Sequence, residues 1–271
     1  WNYPLTLTAS DAIPALMAGN AVVLKPDEKT TLTAMWVRDR MIEAGLPSDL
    51  LQVVVGRGSD IGSNVIEAAD FVMFTGSTRV GRIVAAQCGE QLTPCSMELG
   101  GKNAMIVRAD ADIDRAAQIA TRACFANAGQ LCVSMERVLV HEAIYGPFLE
   151  AFASATQELR IDARVGWSGQ VGSLISADQL ARVQGHVDDA VAKGAKVIAG
   201  GRPRPDIGPY VYEPTILAGV ESEMVLCDEE TFGPVVAVRP YTTDAEAIAL
   251  ANDTAYGLNA AVIGRDRAAA R

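Results

Sequence analysis

Two spacings of apolar and polar positions alternate along this chain. Short β-branched or aliphatic runs at residues 21–24, 51–55 and 71–74 predict buried strands. Residues 31–44, 59–68 and 80–90 place apolar side chains at helical spacing. Gly45, with Pro47 beyond it, ends the first of these helices, since glycine tolerates a left-handed C-cap and proline cannot continue a helix. Ser77 or Thr78 offers an N-cap to the helix at 80–90. A second cycle follows, with strands predicted at 104–107, 137–140, 197–198, 235–239 and 260–263. Its helices fall at 113–126, 144–159, 176–193 and 244–252. The acidic run Asp110-Ala111-Asp112 suits the positive end of the helix at 113–126, and Gly194 closes the one at 176–193. Residues 162–172 and 202–209 read as irregular, and 267–271 as a helix cut in mid-turn.

Strands separated by helices imply βαβ units and parallel sheets. The pair Gly100-Gly101 permits a sharp turn between the two cycles. The expected fold is therefore α/β, with two doubly wound parallel-sheet domains spanning 1–99 and 100–271.

Composition narrows the function. The 271 residues are 49% hydrophobic and 21% charged, as in an ordinary globular enzyme. A net charge of −10 argues against nucleic acid as a partner, because phosphate neutralisation needs clustered Lys and Arg. No apolar stretch reaches membrane-spanning length, and no signal-peptide pattern opens the chain. Cys88, Cys95, Cys124, Cys132 and Cys227 show no metal or disulfide spacing, and only His141 and His186 could join them. Reduced thiols fit a cytoplasmic setting, and no metal is expected.

Against that background two side chains stand out. Cys132 follows Asn127-Ala128-Gly129-Gln130-Leu131, a small-residue loop that can hold a thiol at a turn. An inert buried thiol is the commoner fate of a free cysteine, and the other four keep that reading. Glu98, followed by Leu99-Gly100-Gly101-Lys102, is a carboxylate with no bulky side chain after it, suited to act as a general base. Taken alone it would be a solvated surface residue. Strand 71–74, Gly76-Ser77 and the helix carrying Gly81 form a possible anion site, although the spacing is not Gly-x-Gly-x-x-Gly. Lys25-Pro26-Asp27-Glu28 follows a strand end, where a doubly wound sheet binds nucleotide, or is merely a solvated loop.

Together with Trp1-Asn2-Tyr3-Pro4, Phe74-Thr75-Gly76-Ser77 and Glu229-Glu230-Thr231-Phe232-Gly233-Pro234, these motifs resemble the aldehyde dehydrogenase superfamily from the first residue to about Arg265. Within it the text is most similar to the succinate-semialdehyde dehydrogenases. The resemblance implies an aldehyde dehydrogenase-like fold, here incomplete at both ends. It implies NAD(P)-dependent oxidation of an aldehyde to an acid, with succinate semialdehyde as the expected substrate. Cys132 would be the nucleophile, Glu98 the base, and Asn2 an oxyanion donor with the Cys132 amide. Trp1, Lys25, Glu28, Thr75, Gly76, Ser77, Gly81, Leu99, Glu230 and Phe232 would contact the cofactor, NAD or NADP. Lys25 and Glu28 would take the adenosine ribose, the Leu99 carbonyl the carboxamide, and Glu230 and Phe232 the nicotinamide ribose and ring. A carboxylate at Glu28 favours NAD. The full-length protein would be a homo-oligomer, a dimer or tetramer.

Relatives specific for succinate semialdehyde often carry an arginine just before the nucleophile loop, where this chain reads Phe125-Ala126-Asn127. Arg122 and Arg137 are the nearby candidates for a carboxylate clamp. The rival readings are a broad-specificity aliphatic or aromatic aldehyde dehydrogenase and a catalytically silent nucleotide-binding fragment.

Overall fold

A computed structural model describes residues 1–270. The chain separates into two compact units, Trp1–Leu99 and Gly100–Arg271.

The first unit runs α1 (Pro4–Met17), β1 (Val22–Leu24), α2 (Thr31–Glu43), β2 (Leu51–Val53), α3 (Gly58–Glu67), β3 (Val72–Thr75), α4 (Thr78–Glu90) and β4 (Cys95–Glu98). Its strands form two parallel pairs, β1 with β2 and β3 with β4. Two of these elements are absent from the sequence expectation. Helix α1 has Pro4 in its first turn, where the missing N–H is harmless, and Pro14 inside it. Strand β4 is short and mixed, and it exists because β3 supplies its hydrogen-bond ladder.

The second unit runs β5 (Asn103–Val107), α5 (Ile113–Phe125), β6 (Met135–His141), α6 (Tyr145–Gln157), α7 (Ala177–Ala192), β7 (Lys196–Ala199), β8 (Thr215–Ala218), α8 (Val225–Asp228), β9 (Val235–Tyr241), α9 (Asp244–Asn252) and β10 (Ala260–Ile263). One six-stranded sheet has the order β10-β5-β6-β9-β8-β7, parallel except for the antiparallel edge strand β7. Parallel strands covered on both faces read as continuous apolar runs, and β8 is buried at all four positions. The helix expected at 267–271 is, as far as Ala270, a turn in which the Ala270 amide donates to the Asp266 carbonyl at 3.1 Å; Arg271 lies outside the described residues.

Helix starts follow capping chemistry. Asp112, Ser176 and Thr243 accept bonds from the third amide of α5, α7 and α9. Helix α5 turns Ala116, Ala117, Ala120, Cys124 and Phe125 inward, and the small residues let it lie close to its neighbours. Phe152 stands at the centre of that packing, with ring centroids 5.9 Å from Phe125 and 5.6 Å from Phe148.

Phe152 is fully buried. Phe152→Ala is expected to cost about 3–5 kcal/mol, through lost transfer energy and the cavity left behind. Urea unfolding of the variant beside the parent checks this, and a midpoint shift worth less than about 1 kcal/mol would refute it.

Candidate active site

In the first unit the expected cofactor residues gather at the carboxyl ends of parallel strands, where open α/β sheets bind ligands. Thr75 pairs directly with Glu98 across β3 and β4, and the Gly76 amide donates to the Glu98 carbonyl at 3.0 Å. Glu98 is exposed there. Ser77 caps α4 by accepting from the Val80 amide at 3.4 Å, so the helix N-terminus opens beside Glu98. Gly81 lies in the first turns of α4, and a Cβ there would come within 2.4 Å of the Leu99 side chain. The missing Cβ is what lets Leu99 pack on the helix.

After β1, Lys25 Nζ donates to Glu28 Oε1 at 3.0 Å and to the Pro26 carbonyl at 2.8 Å. Partial burial pushes the Glu28 carboxyl up, but hydrogen bonds from its own amide and from Lys25 outweigh this and leave it below the ordinary carboxylate value. Trp1 and Asn2 are half-buried just ahead of α1. The Trp1 amino group is held below its usual pKa by burial and senses the charges of Asp27, Lys29 and Lys25. That places it beside the same loop.

In the second unit the chain leaves α5 through three consecutive left-handed residues, Asn127 (φ 52°), Ala128 (φ 54°) and Gly129 (φ 69°). Two of them carry side chains, which costs roughly 1–2 kcal/mol each. Such strain persists only when the surroundings over-determine it. The Gln130 carboxamide donates to the Asn127 carbonyl at 3.0 Å and accepts from the Ile175 amide at 2.9 Å. A Cβ on Gly129 would lie 2.0 Å from the Gly233 carbonyl oxygen, so the two loops meet backbone to backbone. Cys132 is half-buried, and its carbonyl accepts from Asn103 Nδ2 at 2.7 Å. The other thiols differ. Burial pushes the pKa of Cys88, Cys124 and Cys227 up, and Cys95 is exposed.

The second expected cofactor segment lies in the same unit. Glu230 Oε1 accepts from the Gly101 amide at 2.9 Å, and its other oxygen fills the space a Gly100 side chain would need. Burial pushes the Glu230 carboxyl up to about 7, partly offset by the Gly101 bond. Phe232 is left-handed at φ 53°. Gln179 Nε2 donates to the Thr231 and Phe232 carbonyls at 3.0 and 2.8 Å, and Arg182 donates to the Glu230 carbonyl at 2.7 Å.

Behind this segment sits a buried ion pair, Lys102 with Glu136. The Glu136 carboxylate also accepts from the Thr231 amide at 2.9 and 3.0 Å and from the Phe232 amide at 2.9 Å. These two residues were not singled out by sequence, although Glu136-Arg137 is a charged pair at the head of an apolar strand. Arg137, a candidate clamp, is engaged elsewhere: its guanidinium donates to the carbonyls of Lys102, Leu250 and Ala251, each at 2.8 Å. Arg122 is exposed in the last turn of α5. Among the described residues no group of three or more His, Cys, Asp or Glu could hold a metal, and no helix is long and apolar enough to cross a membrane.

Known proteins match this arrangement along the whole chain. The sequence model of the aldehyde dehydrogenase family matches residues 1–271. A Mycolicibacterium smegmatis protein named "putative succinate-semialdehyde dehydrogenase (NADP+)" is 55% identical over 262 residues, which is 97% of this chain and 51% of that protein. An indole-3-acetaldehyde dehydrogenase solved with NAD+ superposes with a TM-score of 0.96 at 37% identity, over 100% of this chain and 56% of that one. A structure described as an E. coli NADP dependent enzyme gives 0.95 at 36% identity, over 99% of this chain and 56% of that one. The chain thus spans about half the length of the curated relatives it matches.

Glu230 gives this region a pH signature. Its folded pKa of about 7 lies above the ordinary 4.5, so its stabilising contribution is fully present below 4.5 and is lost as pH rises through 7. Glu230→Gln is expected to remove that slope and to be more stable than the parent at pH 8, by on the order of 1 kcal/mol. Denaturation midpoints of both proteins between pH 4.5 and 8 test it; parallel profiles would contradict the assignment.

Proposed function

The chain belongs to the aldehyde dehydrogenase family, and from that premise we propose that it carries the hydrolytic oxidation of an aldehyde to a carboxylic acid with NAD(P). The observation that carries this reading is the braced, left-handed loop that presents the half-buried Cys132. Backbone strain stored in the residues just ahead of a half-buried thiol points to a nucleophile rather than a packing residue.

In this reading the Cys132 thiolate adds to the carbonyl carbon of the aldehyde. The oxygen that gains the negative charge accepts bonds from the Asn2 carboxamide and the Cys132 amide. NAD(P), when bound, supplies the hydride acceptor. The product of that oxidation is a thioester on Cys132. Glu98 takes a proton from a water molecule as that water attacks the thioester, which releases the acid and returns the thiolate.

The residues present fit such a cofactor. The open N-terminus of α4 beside Thr75, Gly76 and Ser77 suits a pyrophosphate. Lys25 and Glu28 offer a donor and an acceptor to ribose hydroxyls. Glu230 and Phe232, in the second unit, would take the nicotinamide ribose and ring, and the carbonyl of Leu99, the last residue of the first unit, the carboxamide. We favour NAD, because the Glu28 carboxylate would repel a 2′-phosphate carrying about −1.5 to −2 charges, a value borrowed from phosphorylated side chains. The mycobacterial relatives are nonetheless named for NADP, and solved relatives include complexes with NAD+.

Those relatives' names support succinate semialdehyde as the substrate. A broad-specificity aldehyde dehydrogenase is the second reading, and Arg137 favours it: a guanidinium held by three backbone carbonyls is not available to a substrate carboxylate. Arg122 remains exposed for that role. We further propose a homo-oligomer in a reducing, cytoplasmic setting, in keeping with five cysteines that form no disulfide with one another.

Cys132→Ala is expected to abolish aldehyde oxidation while NAD+ still binds, and Cys124→Ala to retain it. Equal loss in a folded Cys124→Ala would remove Cys132 from its role. Glu98→Gln is expected to keep a first-turnover burst of reduced cofactor and to lose roughly 10²–10⁴ in steady-state rate. Rapid-quench kinetics with no burst, at unchanged cofactor affinity, would reassign Glu98 to thiol activation. For the cofactor, kcat/KM is expected to be higher with NAD than with NADP, and a clear NADP preference would overturn the Glu28 argument.

A further inference from the structure

Lys102 and Glu136 are 1% and 2% exposed, and their side chains form an ion pair inside the second unit. A buried ion pair is a weak source of stability, since two apolar side chains of similar volume would fill the same space without the desolvation cost. An apolar pair could not, however, accept hydrogen bonds. Glu136 does so from two successive backbone amides, Thr231 and Phe232, with Oε1 reaching both and Oε2 shared between Thr231 and Lys102. Neutral acceptors would hold those amides less strongly than a carboxylate does.

The segment held in this way is the one that needs it. Phe232 sits at φ 53°, a region that bulky side chains avoid. Glu230, one residue before the clamp, aims its carboxylate at the Gly101 amide. Gln179 and Arg182 hold only the carbonyl side of the segment, and Glu136 holds the amide side. The next residue on β6, Arg137, points to the opposite face and grips the Lys102 carbonyl at 2.8 Å. Lys102 is therefore fixed through both its side chain and its backbone, and the carboxylate it partners cannot swing away.

Building on the functional reading above, we infer that Glu136 is a positioning residue for the nicotinamide half of the cofactor. Its carboxylate, fixed by Lys102, sets the Thr231–Phe232 backbone and through it the directions of Glu230 and Phe232. The amide clamp lies in the second unit and Lys25, Glu28 and the N-terminus of α4 lie in the first, so a ligand that lacks the nicotinamide half serves as the control for its loss.

The test is binding of NAD+ and of ADP, measured by titration calorimetry on the full protein. Glu136→Gln keeps the side-chain volume and removes the charge; Lys102→Met/Glu136→Gln also removes the lysine charge that the first variant leaves unpaired. In a folded variant the Kd for NAD+ is expected to rise about tenfold to a hundredfold, the range set by losing a hydrogen bond to a charged group. The Kd for ADP, which lacks the nicotinamide half, is expected to stay within about twofold. Unchanged NAD+ affinity, or an equal loss for both ligands, overturns the inference. Failure of both variants to fold, seen in near-ultraviolet circular dichroism, overturns it too, because the pair is then a core element. Wild-type protein that binds no NAD+ would instead sink the functional reading and this inference with it. That failure shows in the parent, the others only in the variants.

Discussion

A lysine and a glutamate buried against each other at the heads of β5 and β6 constrain the backbone at one end of the second unit. Removing either partner alone would leave an uncompensated charge in a space that water does not reach, at a cost of about 3–5 kcal/mol. The pair therefore behaves as one object. Around it the backbone of three segments is fixed: the Lys102 carbonyl by Arg137, the Thr231 and Phe232 amides by Glu136, and the end of α9 by the same Arg137. The strand that follows the Cys132 loop carries both gripping residues, so the thiol loop and the Glu230 segment share one anchor.

The strain in this unit has a common geography. Asn127 and Ala128 lie in the left-handed region ahead of Cys132, and Phe232 lies there after Glu230. The two strained stretches touch where Gly129 meets Gly233, at a distance no side chain would permit. Each is held by side-chain amides and carboxylates rather than by a regular ladder. Unfavourable conformations of this kind persist because several independent bonds agree on them.

Electrostatics in the same region follow burial. His186, packed behind Thr231, is pushed down to about 4 by desolvation and by Arg182, so it stays neutral near pH 7. Glu230 is pushed the opposite way for the same reason. A neutral imidazole and a half-titrated carboxyl avoid adding full charges beside the Lys102–Glu136 pair.

Much of this was legible in the residue order. The apolar runs at 104–107, 235–239 and 260–263 are strands, and the helical stripes at 31–44, 113–126 and 176–193 are helices, because burial on one face leaves a local period in the text. Ser77 as a cap and Gly194 at a left-handed helix end follow from chemistry within one turn. Other features carry no local signal. Helix α1 hides behind Pro14 and alternating threonines, and β4 is a strand only because β3 lies beside it. Arg137, a candidate clamp for a substrate carboxylate, is instead tied to carbonyls more than a hundred residues away. Glu136 meets Thr231 across 95 positions. Sequence by itself determined where most strands and helices fall and which faces of them are apolar, since both depend on neighbours along the chain. Tertiary structure alone decided which buried charges meet and which amides they hold, because hydrogen bonds over such separations form only once the sheet has set its strand order.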